Sequence, residues 1–112
     1  MKYMLQIFHE ERAGERTPEA LAPWQRFSEE AQKLGAEIAA GPLESATTAS
    51  TVSVRDGKVL ITDGPFIETK EQLCGFYVFE CESLATAQTL ASMIPLASSG
   101  HIEVRQVSDF GA

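Results

Sequence analysis

Apolar side chains alternate along residues 2–8. Tyr3, Leu5 and Ile7 fall on one side and Met4, Gln6 and Phe8 on the other. A period of two predicts a strand, and two largely apolar faces suit a central strand covered on both sides. Residues 9–16 then turn polar and read as a loop, with His9 at the surface. Leu21, Trp24, Phe27, Ala31 and Leu34 recur at near-helical spacing and predict a helix whose Trp24 and Phe27 bury on the sheet. Thr17-Pro18 supplies an N-cap and first-turn pair and Gly35 a stop. Pro23 either moves the helix start to near Ala22 or marks a short turn before it.

Residues 36–43 predict a second strand ended by Gly41-Pro42, and residues 44–50 a small-residue linker. Asp56-Gly57 is a two-residue hairpin turn. It should pair Val54 with Val59 and Val52 with Ile61 on one face, and Ser53 with Leu60 on the other. Residues 63–73 hold a turn and a charged run, and residues 74–81 another strand. Ser83 caps a helix carrying Leu84, Ala87, Leu90, Ala91 and Ile94, with Pro95 as its end. Residues 101–107 form the last strand, with Ile102 and Val104 on one face and His101, Glu103 and Arg105 on the other.

The order strand, helix, strand, hairpin, strand, helix, strand is the split βαβ plan of a ferredoxin-like α+β domain, βαββαβ with an inserted β-hairpin. Helices on one face leave the other sheet face bare, so two sheets packed face to face would close a homodimer with a cleft between sheet, hairpin and turn.

Composition narrows the function classes. The 112 residues suit a single domain over residues 1–112. With 16 acidic and 9 basic residues the net charge is −7, which argues against nucleic acid and anionic membranes as partners. No apolar run approaches the roughly 20 residues of a membrane span. The N-terminal residues lack the long apolar core of a signal peptide. Cys74 and Cys81, seven apart on one strand, would point to opposite faces and form no disulfide. The cytoplasm is the expected compartment.

Candidate chemistry gathers around Thr62-Asp63-Gly64-Pro65-Phe66. Gly64 is permissive, and Pro65 should push it toward extended backbone. Asp63 could be a general base, a ligand acceptor or a cap on its own turn, and Asp before Gly-Pro is most often a cap. Glu68, Lys70 and Glu71 are a solvated face or a pocket rim. His101 and Arg105 share a strand face that could bind a ligand or form ion pairs at an edge. Phe66 and Tyr77 pack, or wall a cleft; Tyr77 would present its hydroxyl there if Phe76 and Val78 face the helices. Two isolated histidines and no CxxC make no metal motif, and the scattered glycines make no phosphate loop. No cofactor is expected.

Residues 62–77, Thr-Asp-Gly-Pro-Phe-Ile-Glu-Thr-Lys-Glu-Gln-Leu-Cys-Gly-Phe-Tyr, resemble the DGPF-domain branch of the YCII-related (YciI-like) family. Met1-Lys2-Tyr3-Met4-Leu5, Gly41-Pro42-Leu43, Val54-Arg55-Asp56-Gly57-Lys58 and Ile102-Glu103-Val104-Arg105 extend the likeness over nearly the whole chain. The resemblance implies a dimeric α/β barrel of bacterial origin, with a regulatory context near extracytoplasmic-function sigma factors. Other YciI-like proteins pair a first-helix His with an Asp. Here that helix reads Leu21-Ala22-Pro23-Trp24-Gln25-Arg26-Phe27, so the dyad does not carry over.

Two functions remain in view. One is small-molecule binding in a cleft at the turn, with acid–base chemistry by Asp63 and ligand contacts from Phe66, Glu68, Lys70, Tyr77, His101 and Arg105. The other is a non-catalytic regulatory or structural dimer linked to a sigma factor.

Overall fold

The computed structural model describes residues 1–11 and 18–108. Six strands and two helices follow in the expected order: β1 (Lys2–Glu10), α1 (Pro18–Ala31), β2 (Gly35–Pro42), β3 (Ser50–Arg55), β4 (Lys58–Asp63), β5 (Glu71–Cys81), α2 (Leu84–Met93) and β6 (His101–Gln106). Short 3-10 turns cover Ala46–Thr48 and Pro95–Ser98. The main sheet runs β2-β5-β1-β6, antiparallel throughout, and β3 and β4 form a separate ribbon. Each helix-linked pair, β1 with β2 and β5 with β6, has one strand of the other pair between its members. This α+β arrangement is compatible with a ferredoxin-like fold.

Both helices pack on one sheet face. Tyr3, Leu5 and Ile7 of β1 join Phe79 and Cys81 of β5, Phe27 and Ala31 of α1, and Ala87, Leu90 and Ala91 of α2 in a single buried cluster. Ser83 caps α2, its hydroxyl accepting from the Thr86 amide. Phe27 meets Tyr77 edge-on at 5.1 Å and Phe79 at 6.2 Å, while Tyr77 stacks on Phe79 at 5.5 Å. Such ring pairs add about 0.5–1.5 kcal/mol each beyond burial.

Several expectations change. Pro23 lies inside α1, where it removes only its own amide bond early in the helix while Phe27 and Ala31 anchor the rest. Gly35 opens β2 instead of ending the helix. A Cβ there would come 2.8 Å from the Glu80 carbonyl oxygen, so close strand approach demands the glycine. His9 is a residue of β1 and only 3% exposed, not a surface loop residue, because the strand runs on to Glu10. β5 begins at Glu71, three residues earlier than the periodicity suggests. The proposed cap at Thr17 and the loop over residues 12–16 lie outside the described residues.

A bulge explains the misplaced start of β5. Gly75 pairs with Ile7 and Leu73 with Phe8, leaving Cys74 as the extra residue. After the bulge Gly75, Tyr77, Phe79 and Cys81 face the helices; before it Glu71 and Leu73 share the open face with Phe8. Tyr77 therefore turns to the helix side and Phe76 and Val78 to the open side, the reverse of what a ligand-facing hydroxyl required.

The ribbon has the expected register, Val54 opposite Val59, Val52 opposite Ile61 and Ser53 opposite Leu60. Asp56 and Gly57, at φ 50° and 74°, give the left-handed turn that matches strand twist. Its apolar face is bare: Val52, Val54, Val59 and Ile61 are all exposed. The radius of gyration, 16.0 Å, exceeds the about 13 Å of a compact domain of this length.

Candidate functional site

Where β4 ends, the chain makes a sharp elbow. Gly64 takes φ +95°, a left-handed value, and not the extended backbone expected before Pro65. The bend is latched from both sides. The Gly64 amide donates to the Ala49 carbonyl at 2.7 Å, and the Thr51 hydroxyl donates to the Gly64 carbonyl at 2.8 Å. These bonds aim the segment after Pro65 across the open end of the main sheet. Phe66 follows immediately and is 83% exposed.

Under that segment lies an apolar depression of about 640 Å³, walled by Phe66 and Ile67 from the elbow and floored by Phe8 and Leu73 from the sheet. Glu71 and His101 also line it. His101 sits opposite Phe8 in the β1–β6 register, and Leu73 sits opposite Phe8 on the other side. The His101 Nδ1 and a Glu71 carboxylate oxygen meet at 2.8 Å. A carboxylate that accepts from an imidazole leaves the far ring nitrogen free to exchange a proton. Thr69 and Gln72 hold the approach to Glu71: the Thr69 hydroxyl donates to the Glu71 carbonyl, and the Gln72 side-chain amide donates to the Thr69 carbonyl at 2.9 Å.

The remaining predicted site residues are distributed differently. Lys70 projects into solvent and pairs with Glu10 at 3.0 Å. Glu68 is exposed beside it. Arg105 lies further along β6 and pairs with Glu103 at 3.2 Å. Asp63 is exposed at the end of β4, away from the lining of the depression, and among the described residues its carboxylate caps no backbone amide. Tyr77 is under the helices, and burial, then the nearby Glu37 charge, pushes its phenol up. Thus Phe66 and His101 come together, while Tyr77 and Arg105 do not join them.

Phe8 and Leu73 are lining residues that sequence reasoning does not select, and Glu71 is one that it reads only as part of the charged run. The missing signal is the bulge at Cys74, which puts Glu71 on the face of His101. The Cys74 thiol is itself raised by burial and donates to the Gln72 carbonyl at 3.1 Å, so it stays protonated. Among the described residues no cluster of His, Cys, Asp and Glu could hold a metal ion, and no helix is long and apolar enough to cross a membrane.

Comparison with known proteins adds two findings. The sequence pattern of the YCII-related domain matches residues 1–111. An uncharacterised protein of Rhizobium meliloti (strain 1021) is 41% identical over 96 residues, covering 84% of this chain and 75% of that protein.

Proposed function

Because the chain belongs to the YCII-related domain family, we propose that it is a YciI-like protein of the DGPF branch that binds a small molecule where the elbow overhangs the sheet. The observation that carries this reading is the Glu71–His101 pair, 2.8 Å apart in a largely apolar depression. Apolar walls with a few convergent polar groups are the usual make-up of a small-molecule site. Phe66 and Phe8 would sandwich an apolar body. His101 and Glu71 would bind a polar substituent or move a proton to or from it. Asp63, Glu68 and Lys70 lie outside the lining of the depression, and in this reading they would act only on a ligand that extends beyond it, with Asp63 as a second proton acceptor. No cofactor is needed for this chemistry.

The working form in this reading is a homodimer. Met4, Phe76 and Val78 leave the open sheet face partly uncovered, and the ribbon adds a further apolar face. Two open faces packed together would close a dimeric α/β barrel and roof the depression. Its place would be the cytoplasm.

A thermal-shift screen against a broad metabolite panel tests the proposal, with His101→Ala and Asp63→Asn alongside. A ligand at about 100 times its dissociation constant should stabilise the protein by roughly 2.7 kcal/mol. The expected result is a hit that His101→Ala loses while melting near wild type. The bare ribbon favours a second reading, a non-catalytic regulatory or structural dimer docked to a partner such as an extracytoplasmic-function sigma factor. No hits in any metabolite class would favour that one.

A further inference from the structure

His9 and Ser99 form a second polar pair, outside the depression. The His9 Nδ1 lies 2.7 Å from the Glu10 carbonyl oxygen. A carbonyl can only accept, so Nδ1 carries the proton of the neutral ring. The Nε2 lone pair is then turned to the Ser99 Oγ, 2.8 Å away, and the hydroxyl donates to it. The imidazole is buried, whereas Ser99 is open to solvent. A buried, tautomer-fixed base behind an exposed hydroxyl is the arrangement that activates a serine nucleophile.

The surrounding backbone holds the pair in register. A Cβ on Gly100 would come 2.3 Å from the Phe8 carbonyl oxygen and 2.9 Å from the His9 Cδ2, so only glycine lets the loop lie against the ring. The Ser99 and Gly100 amides both donate to the Leu96 carbonyl, at 3.2 and 2.8 Å. Those two amides are committed and do not form an oxyanion hole. Acylation would therefore rely on an activated acyl donor and on the His9 base.

We propose that Ser99 is a nucleophile, with His9 Nε2 as its general base, that accepts the acyl group of an activated ester or thioester. The Ser99 Oγ forms a bond to the acyl carbon while its proton passes to His9 Nε2. The bond from that carbon to the leaving oxygen or sulfur breaks, and the leaving group takes up the proton from the imidazolium. The product is an O-acyl serine, with no oxidant or metal required.

Exposure of the whole protein to p-nitrophenyl acetate, followed by peptide mass mapping, tests this. Ser98 is likewise exposed, and its hydroxyl donates to the Pro95 carbonyl and, among the described residues, to no imidazole. It is an internal control in the same sample. The expected result is an acetyl group on Ser99 in clear excess over Ser98, absent in Ser99→Ala and reduced about 100-fold in His9→Gln. Equal labelling of Ser98 and Ser99, or acetylation confined to amines, overturns the proposal even if His9→Gln fails to fold. Unchanged Ser99 labelling in a folded His9→Gln protein overturns it as well.

Discussion

Glu71 and His101 meet at 2.8 Å although their strands are not neighbours. β1 runs between β5 and β6. The two side chains span it above Phe8, at one end of the sheet. A contact of this kind ties the position of each group to the open face and not to either strand alone.

Removing this pair should cost little stability. Ion pairs near the surface contribute about 0–1 kcal/mol, and His101 is well exposed. Glu71→Gln and His101→Ala are expected to melt within a few degrees of wild type, yet to lose any ligand stabilisation seen in the screen. A melting point lowered by many degrees in both variants would make the pair structural.

Charge on the ribbon should separate subunits without unfolding them. Ile61 is 68% exposed on the apolar face of the ribbon. If a second copy covers it, Ile61→Lys should weaken association at least roughly tenfold, since burying such a side chain is worth about 1.5–3 kcal/mol. Sedimentation velocity over a concentration series reads this directly. An unchanged association constant would place the subunit contact elsewhere.

Gly64 is the residue at which an alanine should be felt. At φ +95° any side chain is strained, and a left-handed non-glycine residue costs about 1–2 kcal/mol. Gly64→Ala should lower the unfolding free energy by that amount, read as a fall in the urea midpoint. Asp63→Asn, one residue earlier, should leave the midpoint alone, because among the described residues the Asp63 carboxylate holds no backbone amide.

Acid should loosen the join between β1 and the linker after β2. Glu11 accepts hydrogen bonds from the Ala46 amide and the Ser45 hydroxyl. The Ala46 bond, then the Ser45 bond, holds its carboxyl below the ordinary 4.5. A carboxylate depressed on folding stabilises above its unfolded value, and that stabilisation is lost as pH falls through the folded one. Glu11→Gln should therefore be less stable than wild type at neutral pH, with the gap closing as pH drops below 4.5. Urea melts at several pH values would show the convergence; a constant gap would contradict it.

The sequence made the outline of the fold readable wherever local chemistry and periodicity agreed. Asp56-Gly57 fixed the ribbon's register, Ser83 marked the start of α2, and alternation along β1 identified its buried face. Reading failed where one extra residue changed the phase. Glu71 reads as part of a charged run because the bulge at Cys74 leaves no compositional mark, whereas the packing reading of Tyr77 agrees with its place against the core. His9 was hidden by its polar neighbours, although its own side chain is satisfied by Glu10 and Ser99. Of the residues that line the depression, Phe66 and His101 are legible from residue type and neighbourhood. Phe8, Leu73 and Glu71 required the cross-strand register.

The bulge at Cys74 also makes this segment sensitive to parity. Losing one residue between Glu71 and Gly75 would remove the bulge and restore plain alternation, with Glu71 still on the face of His101. Losing two would set Glu71 opposite His9, under the helices, and take its carboxylate away from His101. A single deletion here should therefore be tolerated and a double one rejected, whatever residues are involved.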